Sequence, residues 1–148
     1  MSTFRGRYFH TIDEKGRIIF PSRLRDIIEQ EYDNHLVVTA WGDYLMVFPF
    51  TEWQLIEEKI SQKSIIDKKV RRFQRLFMSG AVDCSLDNQG RILIPPSLRE
   101  HAKLEKDVVI TGMIKVIEIW NKDRFLAEIA ETEKNIDEYG AYAADLGL

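Results

Sequence analysis

The stretch Asp13-Glu14-Lys15-Gly16-Arg17-Ile18-Ile19-Phe20-Pro21 returns 74 residues later as Asp87-Asn88-Gln89-Gly90-Arg91-Ile92-Leu93-Ile94-Pro95. Each copy reads as a tight turn that feeds a short apolar strand, and a proline stops the strand. Gly16 and Gly90 supply the positive φ that such a turn needs. The aspartate opens the turn and the arginine closes it.

The surroundings repeat as well. Gly6 aligns with Gly80, Thr11 with Ser85, Ile12 with Leu86, Leu24 with Leu98 and Arg25 with Arg99. Beyond these the offset falls to 72, so that Val37-Val38-Thr39-Ala40 faces Val109-Ile110-Thr111-Gly112 and Trp53 faces Phe125. A long repeat with one small indel implies two similar halves related by a pseudo-twofold axis. Halves of roughly 45 to 50 residues rarely bury enough core alone, so the two are expected to share one. The division predicted is a first repeat over 5–50, connecting helices over 51–78, a second repeat over 79–122, and a helix with an acidic tail over 123–148. The fold class predicted is α+β, β-rich in each repeat.

Residues 7–12 and 17–20 mix aromatic and β-branched side chains and flank the first turn, which predicts a hairpin or a hairpin-like crossing. Pro21 starts a short helix over 23–30, and strands over 35–40 and 44–48 flank Gly42-Asp43 as a second hairpin. Thr51 and Gln54 have capping-box spacing, which places a helix start at 51. Ile66, Val70, Phe73 and Phe77 then share one helical face. The second half repeats the order with strands over 81–86, 91–94, 108–111 and 115–120 and a helix over 97–103. Asn121 caps a final helix striped by Phe125, Leu126, Ile129 and Ala130, and the residues from Ala141 onward read as loosely held.

With 45% hydrophobic and 30% charged residues the chain has the composition of a globular protein. It has no apolar run near the ~20 residues of a membrane span, and no apolar stretch follows Arg5 and Arg7 as in a signal peptide. A cytoplasmic location is expected, and the single cysteine, Cys84, fits a reducing compartment as a half-buried strand residue. The net charge of −3 conceals segregation. Residues 1–25 carry six basic side chains (Arg5, Arg7, Lys15, Arg17, Arg23, Arg25) against Asp13 and Glu14. Residues 68–75 add Lys68, Lys69, Arg71, Arg72 and Arg75 with no acid, either a surface for DNA or a solvated helix face. Residues 121–148 hold seven acids against three bases.

No nucleophile elbow, no Cys–His pairing and no glycine-rich phosphate loop is present, and His10, His35 and His101 are scattered without a second ligand at metal spacing. An enzyme is the weaker class, and no cofactor, metal or small-molecule substrate is expected. What the sequence offers is an arginine at the mouth of each turn, spaced so that an aspartate orients it. A planar guanidinium fixed in this way suits phosphate oxygens or guanine O6 and N7. The alternative is an Asp–Arg pair that stiffens the turn and meets no ligand. Arg5, Arg7, Lys15, Arg23 and Arg25 around the first copy tilt it toward nucleic acid.

Phe4-Arg5-Gly6, the doubled Asp-x-x-x-Arg turns at Asp13/Arg17 and Asp87/Arg91, and the apolar-then-proline endings resemble the bacterial MraZ family, built from two SpoVT-AbrB repeats. The resemblance covers nearly the whole chain. It implies a swapped-hairpin fold, ring-shaped homo-oligomers, and a nucleoid-associated transcriptional regulator of the division and cell-wall gene cluster that binds double-stranded promoter DNA, including its own. It maps the DNA-contacting arginines onto Arg17 and Arg91. Lys15, Arg5, Arg7, Arg23, Arg25 and Arg99 join them as candidate DNA contacts, with Asp13, Asp87, Gly16 and Gly90 orienting the loops. The copies differ: Lys15 is answered by Gln89, Arg23 by Ser97, Arg5 by Ser79 and Arg7 by Ala81. An antitoxin-like module whose acidic tail wraps a protein partner is the alternative from another class.

Overall fold

The computed structural model describes residues 2–148. Its strands are β1 (Arg7–Thr11), β2 (Arg17–Ile19), β3 (Leu36–Trp41), β4 (Tyr44–Pro49), β5 (Val82–Cys84), β6 (Arg91–Leu93), β7 (Asp107–Met113) and β8 (Val116–Asn121). The helices are α1 (Ser22–Glu31), α2 (Phe50–Ser61), α3 (Lys68–Phe77), α4 (Pro96–Ala102), α5 (Lys122–Lys134) and α6 (Ile136–Asp145). Six strands form one antiparallel sheet in the order β1-β7-β8-β4-β3-β5, and β2 pairs only with β6 in a separate ribbon.

That order is symmetric under exchange of the halves, and the registers prove it. In the ribbon Ile18 lies opposite Ile92, its own counterpart in the repeat. In the sheet Met46 lies opposite Glu118, again its counterpart. Tyr8 pairs with Ile110 where Val82 pairs with Val38. One pseudo-dyad therefore passes through both central pairings, and the first strand of each half is exchanged: β1 joins the sheet on β7, and β5 joins on β3.

This corrects the simple hairpin. Between β1 and β2 only an isolated bridge, Ile12 to Ile18, survives, so the turn makes a crossing from sheet to ribbon. Burial explains the preference. The period of 2 turns Ile18 and Ile92 inward together, and both are almost wholly buried in a core that draws on both halves through Phe20, Leu24, Leu45, Ile94, Leu98, Ile110 and Ile119. Residues of β3 other than Trp41 are all buried because the sheet is covered on both faces. The ribbon, α1 and α4 cover one face. On the other, α2 and α3 enclose Val37, Phe48, Trp53 and Phe77, while α5 covers Val109, Trp120 and Phe125.

Three local expectations change. The helix after β4 begins at Phe50 with Pro49 in the cap position, not with Thr51 as a cap, because the Phe50 amide donates to the His35 carbonyl at 2.8 Å. Ile66 drops off the helical face predicted with Val70, Phe73 and Phe77, because α3 starts only at Lys68, where the Asp67 carboxylate caps it by accepting from the amides of Lys69 and Val70. The terminal stretch is the ten-residue helix α6, although none of its residues is buried. Asn121 does cap α5, accepting from the Arg124 amide at 3.1 Å.

Candidate nucleic-acid interface

Both turns are built by one carboxylate doing the same three things. Asp13 Oδ1 accepts from the amides of Lys15 at 3.0 Å and Arg17 at 2.8 Å, and its Oδ2 accepts from Arg17 Nε at 2.7 Å. Asp87 repeats this with Gln89 at 2.9 Å, the Arg91 amide at 2.9 Å and Arg91 Nε at 2.8 Å. The Arg17 amide is the main reason the Asp13 carboxyl sits below its ordinary value of 3.8, with the Arg17 side chain adding to it; Asp87 is lowered in the same way by Arg91. Nε of each arginine is thereby tied down. The far edge of each guanidinium is left to meet a ligand, and its direction is set before binding.

Each turn is also stitched to the opposite half. The Gly16 carbonyl accepts from the Ile94 amide at 2.8 Å, and the Gly90 carbonyl from the Phe20 amide at 2.9 Å. Gly16 has φ +89° and Gly90 has φ +74°. A Cβ on Gly16 would stand 2.7 Å from Arg99 Nε and from the Ile94 carbonyl oxygen; one on Gly90 would collide with Arg25. Arg25 on α1 thus packs beneath the second turn, and Arg99 on α4 beneath the first. Their Nε atoms are buried without a hydrogen-bond partner, while Arg99 Nη1 reaches the Glu14 carbonyl at 3.4 Å. These two cations stand beneath the turns.

Alternation places Arg17, Ile19, Arg91 and Leu93 on the outer face of the ribbon, where Arg17 pairs with Leu93 and Ile19 with Arg91. Ile19 is 52% and Leu93 55% exposed. Arg17 and Arg91 line one open groove of about 520 Å³ with Phe9, His10, Gln89, Asp107 and Lys122. Of these, Phe9, His10 and Lys122 could not be found from the motif, because the β1–β7 pairing and the start of α5 bring them there. Lys122 Nζ lies 5.8 Å from the centre of the Phe9 ring.

Other predicted contacts scatter. Lys15 is exposed at the apex of the first turn, and Arg23 is exposed on α1. Arg5 is exposed ahead of β1, and the Arg7 guanidinium sits 5.4 Å over the Phe125 ring, outside the groove. The basic residues of α3 are exposed on the sheet face opposite the ribbon. His35 Nε2 lies 3.2 Å from Asp83 Oδ2, and His101 Nε2 lies 2.7 Å from the Gly42 carbonyl. Burial pushes the Cys84 thiol up to about 12, helped by Asp83, which makes it a packing residue with little thiolate character. Among the described residues no helix is long and apolar enough to cross a membrane.

The class that these features define is a duplicated, strand-exchanged α+β protein that carries a pair of braced arginines on one two-stranded ribbon. A family model described as "MraZ protein, putative antitoxin-like" matches the chain twice, over residues 3–76 and 77–144. The chain belongs to the MraZ family. It is 44% identical over 146 residues to the transcriptional regulator MraZ of Pediococcus pentosaceus, covering 98% of this chain and 99% of the relative. It is 45% identical to that of Desulforapulum autotrophicum, covering 98% and 99%, and 40% identical to that of Syntrophobacter fumaroxidans, covering 98% and 97%. Among solved structures, the solution structure of PHS018 from Pyrococcus horikoshii overlaps 80% of this chain and 89% of its own at TM-score 0.34 and 18% identity, too distant to bear on the fold.

Proposed function

We propose that this chain is a non-enzymatic, sequence-specific DNA-binding transcriptional regulator, and that Arg17 and Arg91 read the duplex from the ribbon. The observation that carries this is the paired geometry. Two guanidiniums, each held through Nε by its own carboxylate, stand on one antiparallel ribbon, the element whose width suits a major groove of about 12 Å. A carboxylate facing phosphate would be repelled, so Asp13 and Asp87 serve as braces. Lys15, Arg23 and Arg5 supply backbone contacts that position the ribbon without reading sequence, and Arg25 and Arg99 hold the turns from beneath.

The relatives' names support the regulatory reading, and the resemblance extends it to the division and cell-wall gene cluster, its own promoter included. Two arginines make too few contacts for the ~10⁻⁸ M affinity of a specific regulator, so several chains must act together. A head-to-tail ring reading short direct repeats would supply them.

The test is binding to the DNA upstream of its own gene over a range of salt. Arg17→Ala and Arg91→Ala should each weaken binding and lower the salt slope by about 1, with the melting temperature within a few degrees of the parent. Inserting about 5 base pairs between operator repeats should cost far more affinity than inserting a full turn of about 10, which restores the face of the duplex. Arginine variants that bind promoter DNA as the parent does would defeat the proposal.

The second reading, a module that binds another protein, is favoured by one feature, the exposed apolar stripe of α6. Binding to promoter DNA that is salt-dependent and sequence-selective separates the two.

A further inference from the structure

Among the exposed apolar surfaces outside the ribbon, two lie one in each half and carry opposite charge. In the first half a groove of about 310 Å³ runs between α2 and α3, floored by Ile60, Val70 and Phe73 and rimmed by Lys59, Lys63 and Lys69. The connection beside it leaves Ile65 and Ile66 in solvent, Ile66 at 85%. In the second half α6 has no buried residue. Ile136, Tyr139 and Tyr142, continued by Leu146 just past its end, recur every three or four residues and make one stripe, all exposed. Glu138 and Asp145 lie along one edge of that stripe, while Asp137 falls on the far side of the helix.

The two helix pairs that carry these surfaces correspond in chain order but differ in reach. Six residues, 62–67, separate α2 from α3, and α3 folds back to place Phe77 against Phe48 and Trp53. Only Asn135 separates α5 from α6. An antiparallel return takes a loop of about 2 to 5 residues, so α6 cannot turn back on α5 as α3 does on α2. Within one chain the stripe on α6 therefore stays in solvent.

We propose that α6 of one chain docks in the α2–α3 groove of a second copy, with the two tyrosines over Ile60, Val70 and Phe73 and the flanking acids against Lys59, Lys63 and Lys69. The inference rests on the self-association proposed above and gives it a contact. A groove in one half that receives a helix from the other half is heterologous, so each chain offers one donor and one acceptor. Repetition of that contact closes a ring or grows a filament, according to the angle it sets. Neither surface includes Arg17 or Arg91, so the ribbons stay open in the assembly.

The test is sedimentation velocity with light scattering on the full chain and two exposed-surface variants. Tyr139→Asp with Tyr142→Asp removes the donor; Lys63→Glu with Lys69→Glu removes the acceptor. Each variant should weaken self-association by about 30-fold, the scale of losing aromatic anchors or buried charge partners, with far-UV circular dichroism unchanged. Mixing the two variants should restore association, and only to dimers, because one intact groove and one intact helix remain between them. An oligomer of parental mass in both variants would overturn the inference while leaving self-association in place. A parent that is monomeric at every concentration would overturn both. Variants that are monomers alone and stay monomers when mixed would show that the helix and the groove do not meet.

Discussion

A carboxylate that accepts two backbone amides and a guanidinium Nε holds a turn more firmly than a surface ion pair does, because two of its three partners cannot move away. Asp13 and Asp87 are both in this position, and both titrate below the ordinary aspartate value of 3.8. The sign follows directly. A carboxyl whose folded value is depressed contributes stability that is complete above its unfolded value and is lost as pH falls through the folded one. The turns are therefore expected to stay braced throughout the neutral range and to loosen only in strong acid. Carboxyl-carbon NMR should find both aspartates titrating below 3.8. Arg17→Ala should move Asp13 only partway back, since the residue-17 amide still donates to it, and a full return would assign the effect to the side chain alone. Asp13→Asn keeps the turn but loses the charge, and should reduce selectivity among DNA sequences while leaving non-specific affinity nearly intact. At the glycines the backbone decides. Gly16→Ala forces a side chain into a positive φ and against Arg99, which should cost on the order of 1–3 kcal/mol in denaturant unfolding. Pairing it with Arg99→Ala should recover part of that loss, and strict additivity would show that the Arg99 contact does not matter.

At the scale of elements, each turn owes its position to the other half. Arg99 leaves α4 to pack under the first turn and Arg25 leaves α1 to pack under the second, so a change in one half should be felt in the loop of its partner. Arg99→Ala is expected to speed hydrogen exchange at the Lys15 and Gly16 amides more than at Gln89 and Gly90, and Arg25→Ala to do the reverse. Reversed or equal effects would refute the crossing. Sequence could not supply this. It shows that Arg25 and Arg99 are cationic and near the motif, and so makes them candidate DNA contacts, but it does not show which turn they support. The same boundary separates what was legible elsewhere. The turns, the ribbon strands and the helices through α5 could be read because spacing, apolar period and glycine position are local, whereas α6, with no buried residue, gave no such signal. The exchange of β1 and β5 was implied by the family resemblance alone and not by the residue pattern, since residues 7–11 suit β2 and β7 equally well by alternation. The choice is made by which pairing buries Ile18 and Ile92 together. Phe9 and His10 escaped notice for the same reason, their strand partners Val109 and Val108 being more than 90 residues away in sequence, and Lys122 because it opens α5 outside either copy of the motif.

For the whole molecule, the pseudo-dyad makes a demand that a half chain can be asked to meet. A chain ending at Met78 keeps the strands from β1 to β4 and the helices from α1 to α3, yet it loses β7 as partner for β1, β6 for β2, β5 for β3 and β8 for β4. Alone it would expose the inner face of the ribbon strand, including Ile18, Phe20 and the Leu45 side of β4, all fully buried in the intact chain. Losing burial on that scale exceeds the whole stability of a small domain, so a folded monomer is not expected. Two copies can satisfy every edge. Because Ile18 faces Ile92 and Met46 faces Glu118, each its own counterpart, a second copy can present Ile18 to Ile18 and Met46 to Met46 in the same antiparallel registers. Its β1 can pair with the first copy's β3, as β5 does here. Residues 2–78 should therefore be unfolded when dilute and a symmetric dimer when concentrated, with cross-strand nuclear Overhauser contacts between the two copies of Ile18. The dimer would carry two identical Asp13–Arg17 turns on one ribbon, both with Lys15 at the apex. A half chain that sediments as a monomer with dispersed amide resonances would show that the first repeat closes its own core, and that the exchange of strands is a convenience of the full chain and not the condition of its folding.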